Sequence, residues 1–158
     1  MSAAPTGAVV LPSRSDIENW PTEHLDNAAV RLRTSGNQSV TLFEQHRQNI
    51  VAPGKTTWEG DAMDAALNRV TTDTAVVRRQ TAVQDEAANI AENGSHDLRG
   101  AKRAVLDAIA EAEADGFHVG EGLSLTDTRD VSPDAMAARQ TAASEHTEYI
   151  RWNAEQLV

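Results

Sequence analysis

Small and apolar side chains recur at three- and four-residue steps along most of this chain, and one stretch interrupts them: Pro53-Gly54-Lys55-Thr56-Thr57-Trp58-Glu59-Gly60. Such spacing puts a stripe of apolar residues on one face of a helix. Two long stripes joined by a short proline- and glycine-bearing link predict an antiparallel helical hairpin. Pro53-Gly54 stops the first helix, and an alanine-rich run begins directly after Gly60. Glycine at position 60 permits backbone angles, or a close approach, that a Cβ would forbid. Trp58, two residues earlier, is expected to fold over the open end of the hairpin and cover its apolar seam. An indole brings about 150–250 Å² of surface to such a contact.

The periodicity sets the helices. Ser13 or Ser15 can cap a first turn that Asp16 and Glu18 favour electrostatically. Pro21 separates Asp16–Trp20 from a main helix that carries Leu25, Ala28/Ala29, Leu32, Ser35/Gly36, Ser39/Val40, Phe43, His46/Arg47 and Ile50. That helix, ending near Ala52, is roughly 45 Å long at 1.5 Å per residue. Gly36 either weakens its middle or lets another helix approach. The second helix carries Met63, Leu67, Val70, Thr74, Val77, Thr81, Gln84, Ala88 and Ala91, the alternating four- and three-residue steps of a coiled-coil seam. Val76, Val83, Ala87 and Ile90 form a neighbouring stripe, which predicts more than one partner helix. Asn93-Gly94-Ser95 reads as a C-cap followed by an N-cap, with one continuous bent helix as the alternative. A third helix with Leu98, Ala101, Val105, Ile109 and Ala112 then ends near Gly116. Phe117-His118-Val119 and Leu123-Ser124-Leu125 alternate around Gly120-Glu121-Gly122, the pattern of a small β-hairpin. Ser132-Pro133-Asp134 opens a last helix with Met136, Gln140, Ala143, Thr147, Ile150, Ala154 and Leu157 on its stripe. With no terminator before Val158, that helix is expected to run to the end of the chain, as in a fragment of a longer protein.

The fold class is therefore all-α: a long antiparallel hairpin with two further helices and a small β-hairpin. The expected organisation is a flexible leader over 1–13 and a single helical domain over 14–158. Within that domain the hairpin spans 16–92, the third helix 95–115, the β-hairpin 117–126 and the last helix 132–158.

At 158 residues the chain can bury a core, but aromatics are only 4% of it, and alanine carries much of the apolar content. The net charge of −10 argues against a nucleic-acid partner, which needs clustered Lys and Arg, and against an anionic membrane surface. No window is long and apolar enough for membrane insertion, and residues 1–11 lack the basic segment and apolar core of a classical signal peptide. There is no cysteine for disulfide or thiolate chemistry. The five histidines, His24, His46, His96, His118 and His146, make no metal-binding spacing, and His46 is expected at the boundary of the core. Acidic groups at Asp61/Asp64, Asp85/Glu86, Glu111/Glu113/Asp115 and Asp127/Asp130 sit among Ala, Arg and Thr, the pattern of a solvated surface. Asp127-Thr-Arg-Asp130 lacks the ligand count of a calcium loop. No nucleophile motif, phosphate loop or dinucleotide fingerprint is present. The expectation is a non-enzyme without cofactor or metal.

Helix, Trp58-Glu59-Gly60 turn, helix resembles the Trp-x-Gly superfamily of actinobacterial type VII secretion substrates. Leu11-Pro12-Ser13, Trp20-Pro21-Thr22-Glu23-His24-Leu25 and Gly116-Phe117-His118-Val119 resemble segments of its larger members. In those, a helical amino-terminal domain precedes a variable carboxy-terminal one. The resemblance implies an export and targeting module, secreted or envelope-associated, whose partners are the type VII machinery or a chaperone. Trp58 and Gly60 would be its interaction motif. The family pairs that turn with Tyr-x-x-x-Asp/Glu; here Tyr149 is followed four residues on by Asn153, which leaves three alternatives: the signal lies beyond Val158, a partner supplies it, or export is not the role of this chain. Trp152 fits either a core position or an interaction surface. The alternative is a cytoplasmic helical scaffold, which would form homo- or hetero-oligomers through seam positions such as Leu67, Val70 and Val77.

Overall fold

A computed structural model describes residues 9–158. The fold is all-α with one two-stranded antiparallel sheet. Helix α1 spans Arg14–Glu18, α2 Glu23–Val51 and α3 Asp61–Ala114; strands β1 (Phe117–Val119) and β2 (Leu125–Asp127) follow, and α4 spans Pro133–Glu155. Contacts group the chain into two compact units. One comprises Glu23–Ser95, the other residues 9–22 together with His96–Val158. Of the leader expected over 1–13, residues 1–8 lie outside the described residues. Leu11 packs against the core, and Ser13 caps α1.

The Glu23–Ser95 unit is the expected hairpin. Its antiparallel register shows in Leu25 beside Gly94, Arg33 bonded to Asn89 (2.7 Å) and paired with Glu92, and Gly36 against Thr81 and Gln84. The predicted seam is the covered face of α3: Val70, Thr74, Val77 and Ala88 are buried, as are Ala29 and Gly36 on α2. Thr74 and Thr81 donate to the carbonyls of Val70 (2.7 Å) and Val77 (3.0 Å), so their hydroxyls enter the seam already satisfied. His46 is exposed, and Arg47 takes the half-buried place expected of it. The covered positions step from Phe43 by four to Arg47 and by three to Ile50, which leaves position 46 on the open side.

Two helix boundaries depart from expectation. Asn93-Gly94-Ser95 ends nothing, and α3 continues through it to Ala114. Gly94 keeps a helical backbone where the side chain of Leu25 comes close, and Ser95 is fully buried. Packing on both sides outweighs the roughly 1 kcal/mol that glycine costs in a helix interior. At the other end α4 stops at Glu155 instead of running to the last residue. The amides of Gln156 and Leu157 turn back to the carbonyls of Asn153 and Ala154 (3.1 Å each), and Leu157 enters the core.

The other unit holds the larger core, formed by Ile17, Val105, Ala108, Ile109, Ala112, Val119, Leu123, Ile150, Ala154 and Leu157. Ser13 and Asp16 exchange the two bonds of a capping box around α1. Arg14 donates to the carbonyl of Val119 (2.8 Å) and pairs with Glu113 (2.5 Å), while Ser15 bonds Glu121, so α1 is tied to the β-hairpin and to α3. The second strand lies two residues later than Leu123-Ser124-Leu125 predicts: Phe117 pairs with Asp127 and Val119 with Leu125. Leu123 instead occupies a tight loop at φ 58°, closed by its amide on Gly120 O (3.0 Å). A leucine in left-handed backbone is strained. Burial of its side chain in the core offsets that cost.

Candidate functional site

The interhelical turn is built from the end of α2 outward. Ala52 closes on Gln48 O (3.0 Å); Pro53–Lys55 then form one 3-10 turn in which Gly54 and Lys55 both take positive φ, 60° and 64°. Thr56 returns its amide and hydroxyl to Pro53 O (3.1 and 2.6 Å). Trp58 is half-buried, and its indole N–H donates to Ile50 O at 2.5 Å. The last carbonyls of a helix have no partner within it, and no basic side chain occupies the final turn of α2. Trp58 thus caps α2 through a hydrogen bond. Gly60 has φ 113°, and its carbonyl accepts from Asp64 N (3.1 Å), so it serves as the N-cap of α3. A Cβ at Gly60 would meet nothing within 4 Å. Of the two reasons for glycine open in the sequence, backbone angle and close approach, the structure selects the angle.

Tyr149 belongs to the other compact unit, on α4. It is 49% exposed, and Trp152, one turn on, is 59% exposed. Asn153 is buried, and its side-chain amide donates to Tyr149 O at 2.8 Å. A carboxylate there could not make that bond, because it only accepts. The departure from Tyr-x-x-x-Asp/Glu is therefore a packing feature of α4.

The densest polar cluster was not visible in the sequence. Arg139 on α4 forms a bidentate pair with Asp127 (2.8 Å twice), reaches Asp115 Oδ1 (3.2 Å) and O (3.0 Å), and lies 4.0 Å over the ring of Phe117. His146 Nε2 is 3.2 Å from the second oxygen of Asp115. The Arg139 guanidinium, followed by the Arg129 amide, lowers the Asp127 carboxyl from 3.8 to about 2. Asp115 is also lowered, first by the bond from His146 and then by Arg139. Asp127 and Arg139 are twelve residues apart, on a strand and a helix, and no periodicity links them. An open groove of about 340 Å³ beside them has Phe117, Val131 and Met136 on its walls and Arg129 and Asp130 among its polar residues. With its charges already paired, this cluster clamps α4 to β2; it sets no nucleophile beside a base. Among the described residues no group of His, Asp and Glu is placed to hold a metal ion, and no helix is long and apolar enough to cross a membrane.

The chain is similar to mycobacterial proteins. It is 35% identical over 150 residues to uncharacterized protein Rv2077c of Mycobacterium tuberculosis and to uncharacterized protein Mb2102c of Mycobacterium bovis. In each case the match takes in 94% of this chain and 46% of the relative, so the chain spans about half the length of the curated relatives it matches. No protein-family profile matches it. No solved structure matches it.

Proposed function

We propose that this chain is a non-catalytic export and targeting module of a type VII secretion substrate, preceding a carboxy-terminal effector domain. The observation that carries this reading is the hairpin turn. Trp58 and Gly60 are fixed between two helices by a hydrogen bond and a positive φ, so the turn presents one defined shape to a partner. Mycobacterial relatives about twice as long as this chain are the second support. The mechanism is recognition: a chaperone or the secretion machinery reads the Trp58–Gly60 end, and exposed Tyr149 on α4 is a second, separate point of contact. The exported protein would reach the envelope or the medium.

The test is fractionation in an actinobacterial host with and without a working type VII system, using the full-length parent and its Trp58→Ala and Gly60→Ala variants. Export that disappears in the deficient strain and in folded, abundant variants supports the module. Retention in the cytosol of both strains, while a control substrate is exported, removes it. An oligomeric helical scaffold is the second reading. It draws on an exposed apolar stripe of α3 at Val76, Val83 and Ile90, since Val70 and Val77 lie buried inside the hairpin unit. The protein would then stay in the cytosol, and assembly would fail on Val83→Asp and be indifferent to Gly60→Ala.

A further inference from the structure

Among the described residues no helix covers the neighbouring stripe of α3. Val76, Val83 and Ile90 are 39, 69 and 64% exposed, although their sequence pattern predicts a second partner helix. They recur at seven-residue intervals, and Gln80 and Ala87 fall between them at the steps of a heptad seam. The seam extends roughly 21 Å, about four turns. Arg79 and Glu86 border it on one flank, both exposed and neither in an ion pair among the described residues. Neither can find an opposite charge within its own helix. The residues three and four away from Arg79 are Ala75, Val76, Ala82 and Val83; those around Glu86 are Ala82, Val83, Asn89 and Ile90.

We propose that this stripe is a self-association surface, on which two copies of the chain pair their α3 helices antiparallel about a two-fold axis at Val83. That axis sets Val83 against Val83 of the second copy and Val76 against Ile90. It also brings Arg79 beside Glu86, twice, because flank positions of the same kind face each other in an antiparallel pair. One surface thus supplies both halves of its own charge match, as an isologous interface requires. In a parallel pair the same two positions face Gln84 and Ala91, and both charges go unmatched. A four-turn seam is smaller than a standard permanent interface, so the dimer forms with rising concentration. The pairing holds whether or not the chain is exported.

The chain has no cysteine, so Val83→Cys places a single thiol on the proposed axis. Mild oxidation should yield a disulfide-linked dimer from Val83→Cys, and far less from Val30→Cys, which is 62% exposed on α2. Sedimentation equilibrium of the unmodified chain should show monomer and dimer. Arg79→Glu or Glu86→Arg alone should raise the dissociation constant about tenfold, two symmetry-related contacts being reversed at once, and the double exchange should restore it. All these side chains are exposed, so circular dichroism should show each variant folded. The proposal is overturned by a folded chain that stays monomeric throughout, by cross-linking as efficient at position 30 as at 83, or by a double exchange that rescues nothing.

Discussion

Gly60 and Trp58 act on the hairpin turn by different physics, and the two separate by substitution. At φ 113° an L side chain is strained whatever the free space around it. Gly60→Ala should therefore destabilise the chain by about 1–2 kcal/mol without a steric clash. Trp58→Phe keeps a ring but loses the bond to Ile50 O, for about 1 kcal/mol. Urea unfolding followed by circular dichroism measures both; a neutral Gly60→Ala would mean that the turn relaxes to negative φ. Asp127 is read by pH. Its folded pKa of about 2 lies below its ordinary 3.8, so its contribution is present above about pH 4 and is lost as pH falls through 2. Asp127→Asn should lower Tm at pH 5, and the difference from the unmodified chain should shrink steadily toward pH 2. A difference that is constant over this range would assign the effect to packing instead of charge.

Among the elements, glycine has opposite consequences at two helical positions. A Cβ at Gly36 would come 2.9 Å from Thr81 Cγ2 and Gln84 Oε1. Gln84 can swing away, but β-branched Thr81 is stiff within its helix. Gly36→Ala should cost about 1–2 kcal/mol despite its gain in helix propensity, and adding Thr81→Ser should recover part of the loss. Gly100 is exposed, and a Cβ there would meet nothing within 4 Å. Gly100→Ala should stabilise by about 0.5–1 kcal/mol. Thermal unfolding of the three variants checks the signs. The same residues show what a sequence can convey. The Met63-to-Ala91 seam was legible because a covered helix face repeats every turn. The role of Gly94 was not, because a C-cap and a packing glycine are written identically, and only the nearby Leu25 distinguishes them. Strand β2 was misplaced by two residues because Leu123 alternates correctly with Leu125 yet is buried from a loop. The turn that holds Trp58 and Gly60 is legible because it interrupts the helical periodicity, whereas the Arg139–Asp127–Asp115 clamp joins residues that no local rule connects.

At the scale of the whole molecule, α3 supplies residues to two cores of unequal strength. In the hairpin unit the buried positions are mainly alanine, glycine, threonine and serine, with Val70 and Val77 as the larger apolar side chains. The other unit buries Ile17, Val105, Ile109, Val119, Leu123 and Ile150. A fully buried aliphatic side chain contributes about 1.5–3 kcal/mol, so opening the hairpin exposes much less apolar surface than opening the other core. Helical hydrogen bonding is equal along α3, and local stability follows tertiary packing. Amides of residues 62–80 should therefore exchange with solvent through a smaller opening than those of 103–112, with protection at least about tenfold lower. Native-state hydrogen exchange resolves the two stretches within one helix. Equal protection along α3 would mean that the helix opens as one cooperative unit and that the division of the cores has no energetic meaning. Unequal protection would leave the Trp58–Gly60 end as the part of the chain most easily remodelled by a partner. Binding there would then appear as a gain in protection confined to α2 and the first half of α3.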